Sequence, residues 1–267
     1  MYPLKHILCQ GVLRSGAVVT FRSMPVSRRN LLASAVAAPL IGTLRASNTA
    51  DAPSPKLKVV VTGGHPGDPE CGCGGTIARY TGMGHAVTLL YLNRGEGFCG
   101  KASLNECATI RTAEARKACE ILKAQPAFAG QHDGEAVVDN QRYSEFRRLL
   151  DAERPDVVFT HWPIDRHRDH RALSLLVLDA WLESGKQFAL YYYEVADDTM
   201  MFSPVDYVDI TPVESTRRAA CFSHSSQDPG KWYPPQQQIT RFRGTESGHA
   251  EAEAFVRHWQ SKIAVLP

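Results

Sequence analysis

From Lys56 onward the chain alternates short, apolar, β-branched runs with stretches of helical periodicity. Residues 57–62 (LKVVVT) predict a buried strand, 76–83 a helix, 86–92 (AVTLLYL) a second strand and 110–123 a second helix. The pattern then repeats: 143–152 predicts a helix, 156–160 (DVVFT) a strand, 172–182 a strongly apolar helix and 188–193 another strand. Strands that recur after helices need crossover connections. The expected fold class is therefore a single α/β domain with a mostly parallel sheet and helices on both faces. Past Met201, residues 213–222 and 250–259 predict helices. The segment between them carries Pro229, Gly230, Pro234, Pro235 and a run of three consecutive glutamines, and predicts a long surface loop. There is no internal repeat, and no amphipathic helix is left without a sheet to cover, so the pattern names no subunit partner.

The first 54 residues follow another logic. Ser27-Arg28-Arg29-Asn30-Leu31-Leu32 is a twin-arginine pattern ahead of a small-residue apolar run, 31–44, interrupted by Pro39 and Gly42 and too short to span a bilayer. A polar Ala/Ser/Pro stretch follows. We expect residues 1–54 to be an export signal and linker, cut between Ala46 and Ala52, and residues 55–267 to be a periplasmic or extracellular domain. Met24, three residues before the motif, is a candidate start.

Composition narrows the class. The 267 residues are 43% hydrophobic and 22% charged, ordinary for a globular protein, which excludes collagen-like, disordered and mini-protein readings. The formal charge is +2, but residues 1–54 hold six bases and one acid. The remainder carries 24 bases against 27 acids, a net of −3, which implies no nucleic-acid surface. With Cys9 set aside, six cysteines remain. Cys71-Gly-Cys73 lacks a second pair at zinc-finger spacing, Cys99 and Cys107 flank a loop and could pair in an oxidising compartment, and Cys119 and Cys221 fall in apolar helical patterns as buried thiols.

The candidate chemistry follows two of the expected strands. One runs into Gly63-Gly64-His65-Pro66-Gly67-Asp68-Pro69-Glu70, the other into His161-Trp162-Pro163-Ile164-Asp165-Arg166-His167-Arg168-Asp169-His170. Ligands gather beyond the carboxyl ends of strands in doubly wound sheets, so the two clusters should meet. Imidazoles with a carboxylate form an N/O donor set suited to Zn²⁺ or another divalent cation with a position open for water, which is machinery for hydrolysis. A dinucleotide loop is the competing reading for Gly72, Gly74 and Gly75. It fails because the His-Pro-x-Asp precedes the glycines and Ile77 stands at the third glycine position.

The segment 64–78 resembles the A-H-P-D-D-E-x-x-x-x-G-G-T opening of the LmbE/PIG-L zinc-dependent N-deacetylases, and His167-Arg168-Asp169-His170 resembles their second H-P-D-H element. Further similarity runs in order through 93–97, 110–114, 132–134, 191–194, 208–211, 224–227 and 252–255. The resemblance implies a Rossmann-like fold and hydrolysis of an N-acyl, usually N-acetyl, group from an amino sugar or glucosamine-containing conjugate. It implies His65, Asp68 and His170 as metal ligands, His167 at the acyl carbonyl as oxyanion stabiliser or proton donor, Asp169 as an orienter of an imidazole, and Arg111 and Asp133 as sugar contacts. Trp162, beside His161, is the candidate for stacking on sugar, while Trp232, Tyr233 and Phe242 are expected to anchor the long loop.

One position departs from the family pattern. Gly67 stands where the first Asp of H-P-D-D, the general base, belongs. Glu70, Asp165 and His167 are the candidates to replace it, with Glu70 preferred. Against this stands its reading as a first-turn helix acid, as an Arg111/Glu114 pair on a helix surface stands against a sugar-contacting Arg111. Loss of the base also leaves open a non-catalytic metal- or glycan-binding relative.

Overall fold

The structure is a computed structural model, described here for residues 55–267; the expected export signal lies outside them. Strands β1 (Lys58–Gly63), β2 (Ala86–Tyr91), β3 (Gln125–Phe128), β4 (Val157–His161) and β5 (Ala189–Tyr193) alternate with helices α1 (Asp68–Gly82), α2 (Leu104–Leu122), α3 (Asn140–Glu153) and α4 (Arg168–Glu183). They are followed by β6 (Asp206–Asp209), α5 (Glu214–Cys221), α6 (Pro229–Ser247) and β7 (Ala252–Arg257). The seven strands form one sheet in the order β3-β2-β1-β4-β5-β7-β6. The first five run parallel, and β7 is antiparallel to both β5 and β6. The expected mostly parallel α/β domain is thus what forms.

Two apolar clusters cover the sheet. Val59, Val61, Leu89 and Phe159 join Ile77, Ala115, Ala118 and Ala220, so α1, α2 and α5 share one face. Val60, Leu90, Val158 and Leu190 join Phe146, Leu150, Leu173 and Trp181, so α3 and α4 share the other. Alternate residues of β1 and β4 point to opposite faces, which is why these strands read as continuous apolar runs.

Three elements differ from expectation. Helix α1 begins at Asp68, well before residue 76: Pro69 fits the first turn, the Glu70 carboxylate accepts the Gly67 N–H, and glycine is needed inside the helix where a Cβ on Gly72 or Gly75 would strike Tyr193 or Ile210. The segment expected to be a loop is helix α6, which tolerates Pro234 and Pro235 near its start. Residues 250–259, expected to be helical, supply strand β7. There Ala252, Glu253, Ala254 and Phe255 are buried against β5, β6 and α6, and tertiary packing overrides the periodicity. Strands β3 and β6 carry too short a pattern to be read from the sequence: each has four residues, and β3 contains Pro126. No helix among the described residues is long and apolar enough to cross a membrane.

Candidate metal centre and its cavity

Strand order reverses between β1 and β4, and the loops after β1, β2, β3, β4 and β5 meet above that switch point. They enclose a cavity of about 370 Å³ whose wall includes His65, Asp68, Arg111, Asp133, His167 and His170.

At its floor Asp68 is the common partner. Its Oδ2 lies 3.2 Å from His65 Nδ1, 3.2 Å from His170 Nε2 and 3.3 Å from His161 Nε2. The other ring nitrogens fix the tautomers. His170 Nδ1 faces Asp165 Oδ1 at 3.1 Å, and His65 Nε2 faces Asp133 Oδ1 at 3.1 Å and Asp169 Oδ2 at 3.2 Å. A proton held by the carboxylates on those nitrogens leaves the lone pairs of His65 Nδ1 and His170 Nε2 turned toward Asp68. His170 Nε2 is buried and makes no hydrogen bond, although Asp68 is close. An orphaned lone pair beside a carboxylate oxygen is what a cation would satisfy, so the residues fit a metal. Three overlapping groups bring their donor atoms within 4.8 Å of one another: His65, His167 and His170; Asp68, His161 and His170; and His65, Asp133 and Asp169.

The charges agree. Burial pulls the His170 imidazolium toward neutrality, but Asp68 and Asp165 outweigh it and raise its pKa to about 9. Burial opposes charge on Asp68 too, yet His170, His161 and His65 hold that carboxyl well below its usual range. Asp68 thus gathers positive charge from its surroundings, as protons here or as a cation in their place. His161 behaves differently: burial and then His170 lower its pKa to about 4, and its Nε2 accepts the Gly64 N–H at 3.1 Å. It stacks on His170 at 3.8 Å between ring centroids and serves as a platform.

Asp169 cannot readily turn to a metal. Its Oδ2 also accepts Gly134 N–H at 2.7 Å and Asn93 Nδ2–H at 3.0 Å, which makes it a positioning residue for His65. His167 caps α4 and lines the cavity, its Nδ1 accepting the Asp169 N–H at 3.2 Å. Burial, then His65 and His170, lower its pKa, and with Nδ1 accepting a hydrogen bond the neutral ring carries its proton on Nε2.

Arg111 lies in the wall, 4% exposed. Its Nη2 donates to Pro66 O at 2.6 Å while Nε and Nη1 are buried without partners. The Glu114 carboxylate is not paired with it. Glu114 accepts from Ser225 Oγ, Ser226 N and Ser226 Oγ at 2.7–3.0 Å, which replaces the helix-surface pair by a clamp on residues 225–227. Asp133 lines the cavity with Oδ2 on Gly97 N–H at 2.9 Å.

Two expected site residues stand elsewhere. Glu70 is fully buried, with Oε2 on Gly67 N–H and Oε1 shared by Tyr91 Oη at 2.7 Å and His224 Nε2 at 3.0 Å. That carboxylate is spent on the cap and on two side chains, and does not line the cavity. Trp162 does not line it either; it packs edge-on against Tyr192 and Phe202, in the apolar cluster of the α3/α4 face. Trp232, expected only to anchor a loop, does line the cavity, as do Asp197, Asp198 and His224. Asp197 and Asp198 follow β5, so the strand-end rule that located the other clusters could have found them.

Residues 60–181, from β1 into α4, match the family model described as PIG-L: GlcNAc-PI de-N-acetylase. Over this span the chain is similar to the PIG-L (LmbE) family. Both loops that build the candidate metal centre fall inside the matched span. The chain is 29% identical over 223 residues to diacetylchitobiose deacetylase of Thermococcus kodakarensis, covering 73% of this chain and 81% of that one. The PIG-L fold is shared with the conserved protein TT1542 of Thermus thermophilus, at 29% identity, a TM-score of 0.69, and coverage of 78% of this chain and 97% of that chain. It is shared also with N,N'-diacetylchitobiose deacetylase of Pyrococcus horikoshii, at 25% identity and a TM-score of 0.68, covering 76% and 84%.

Proposed function

We propose that this chain is an exported, zinc-dependent N-deacetylase that hydrolyses the N-acetyl group of an amino sugar or glucosamine-containing conjugate. The observation that carries the reading is the approach of His65 Nδ1 and His170 Nε2 to one Asp68 oxygen on the cavity floor. Two imidazoles and a carboxylate with an open position suit Zn²⁺, which when bound lowers the pKa of a water to about 7 and polarises a carbonyl. The deacetylase relatives support the reaction class, the twin-arginine segment supports export, and the Cys99–Cys107 disulfide fits an oxidising compartment.

The chain's own groups divide the remaining work. His167 donates an Nε2–H hydrogen bond to the acyl oxygen as negative charge develops there, and the leaving amine takes the proton that the base has removed from the attacking water. Arg111, with two unpartnered buried N–H groups, and Asp133 hold sugar hydroxyls. The proton of the attacking water needs an acceptor other than Glu70. Asp165 is also spent, on His170 Nδ1, His167 N–H and Thr199 Oγ1. His224 remains. It lines the cavity, its ring lies 3.8 Å from where a Cβ on Gly67 would stand, its Nδ1 has no partner, and Glu70 holds its Nε2. We assign His224 as the base, with Glu70 as its positioning residue.

The zinc-loaded protein is expected to release acetate from N-acetylglucosamine, to lose this on chelation and to regain it with zinc. His224→Asn is expected to lower kcat by about 10²–10⁴-fold with zinc content unchanged. A second reading, a glycan-binding relative without turnover, is favoured by Gly67. That residue has φ +110°, a conformation that would strain a side chain by roughly 1–3 kcal/mol. If the zinc-bound wild type is inert and Gly67→Asp, once shown to fold, gains activity, the binding reading replaces the enzymatic one.

A further inference from the structure

Strand β7 runs antiparallel to β5, so the chain leaves it where β5 begins, at the end of the sheet opposite the cavity. Residues 258–267 then cross beneath the parallel strands. His258 N–H donates to Leu190 O at 3.0 Å, Ser261 Oγ accepts Leu190 N–H at 2.8 Å, Ala264 N–H donates to Tyr191 Oη at 3.2 Å and Tyr80 Oη donates to Val265 O at 3.0 Å. Ala264 and Leu266 pack on the core, which leaves Ile263 and Val265 turned outward, 78% and 77% exposed, beside Trp259 at 80%. A single exposed apolar side chain is ordinary. Three within seven residues, on a backbone fastened along its length, form a fixed apolar face.

The charge around this face is basic. Lys56, Lys58 and Lys262 are exposed, Lys186 Nζ donates to Gln260 Oε1 at 2.6 Å, and residues 258–266 contain no acid. Asp156, at the start of β4, accepts the Lys58 N–H at 2.8 Å. Residues 55–267 carry a net charge of −3, so the lysines gather here against the domain's own balance. Lysines flanking a tryptophan and branched aliphatic side chains match an anionic bilayer: the ammonium groups meet the headgroup charge while the apolar groups enter the boundary with the acyl chains. A second copy fits less well, because two-fold packing of this face would set lysines against lysines. Residues 1–54 also join the domain at this end, ahead of β1. We propose that the face formed by Trp259, Ile263 and Val265 with their flanking lysines docks on anionic phospholipid and holds the exported domain at a membrane, with the cavity turned away from it. Delivery to the membrane rests on the export reading, whereas the chemistry of the face does not.

Co-sedimentation of the full chain with phosphatidylcholine vesicles, with and without phosphatidylglycerol, tests the assignment. Wild type is expected to bind the anionic vesicles more tightly than the neutral ones and to be released as salt is raised. Lys56→Gln/Lys262→Gln should weaken binding to the anionic vesicles by roughly 5- to 30-fold, and Trp259→Ser/Ile263→Ser by roughly 10-fold or more, with zinc content and Tm unchanged. Brominated lipid in those vesicles should quench the wild-type tryptophan fluorescence and leave that of Trp259→Phe unquenched. Equal binding to both kinds of vesicle would overturn the proposal, as would wild-type affinity in both double variants, which would place the attachment in residues 1–54. A lipid-free dimer in sedimentation velocity, dissolved by Trp259→Ser/Ile263→Ser, would assign the face to a second copy and overturn it as well. Cell fractionation reads export separately: a protein confined to the cytoplasm refutes export, while the vesicle titration still decides the chemistry of the face.

Discussion

Replacing His170 with alanine is expected to remove the metal and, with it, all measurable acetate release. His170 Nε2 is the buried lone pair with no hydrogen-bond partner, and it shares Asp68 Oδ2 with His65 at 3.2 Å. Without it, one carboxylate and one imidazole remain as donors, short of the three protein ligands of a catalytic zinc site. Of the other imidazoles at hand, His161 is a poor substitute because its Nε2 already accepts the Gly64 N–H, and His167 is held at the start of α4 through its Nδ1. Asp165→Asn makes a graded comparison. It keeps the shape but removes the charge that orients His170, and replaces an oxygen used by His170 Nδ1, the His167 N–H or Thr199 Oγ1. A loss of about 10–100-fold in metal affinity is expected, with activity restored by excess zinc. Elemental analysis after dialysis and a competition titration with a chromogenic chelator read both effects. A His170→Ala protein that still holds stoichiometric zinc with wild-type affinity would refute the assigned ligand set.

How much of this was legible in the sequence depended on how far each residue's surroundings were local. The strands β1, β2, β4 and β5 are covered on both faces, so their apolar runs announce themselves, and the strand-end rule placed both chemical clusters on one edge. The His65/Asp68 spacing and the triple-histidine loop were readable for the same reason. The departures arise where a distant element decides. Glu70 looked like a spare carboxylate because its partners, Tyr91 and His224, are 21 and 154 residues away. Trp162 adjoins a site residue in the chain, but a side chain next to His161 on an extended segment points the other way, into the α3/α4 face. Residues 250–259 have a helical pattern and become a strand because β5 and β6 offer an edge on either side.

A second large effect is expected at a residue outside the proposed ligand set, Arg217. This residue is 0% exposed, with Nε 3.3 Å from Glu253 Oε1 and Nη2 donating to Cys71 O at 3.1 Å. Glu253, on β7, also accepts Gly75 N–H at 2.8 Å, Thr76 N–H at 2.7 Å and Thr76 Oγ1–H at 2.6 Å, so the pair ties α1 to the antiparallel edge of the sheet. A buried pair of this kind adds little net stability over a well-packed apolar replacement, but removing one partner strands the other charge. Arg217→Met is therefore expected to destabilise the fold by about 3–5 kcal/mol, which lowers Tm by roughly 6–20 °C in a domain of this size. Glu253→Gln should also destabilise the fold, because it strands the buried Arg217 guanidinium, although its amide oxygen can still accept from α1. The measurement is thermal unfolding in the presence of a chelator, since bound metal would otherwise add its own stabilisation and mask the difference. Asp68 begins α1, one turn before Cys71, so the Arg217→Met protein should also bind zinc less tightly while its ligands remain intact. A change in Tm of under about 2 °C would show that the pair is not holding α1 in place.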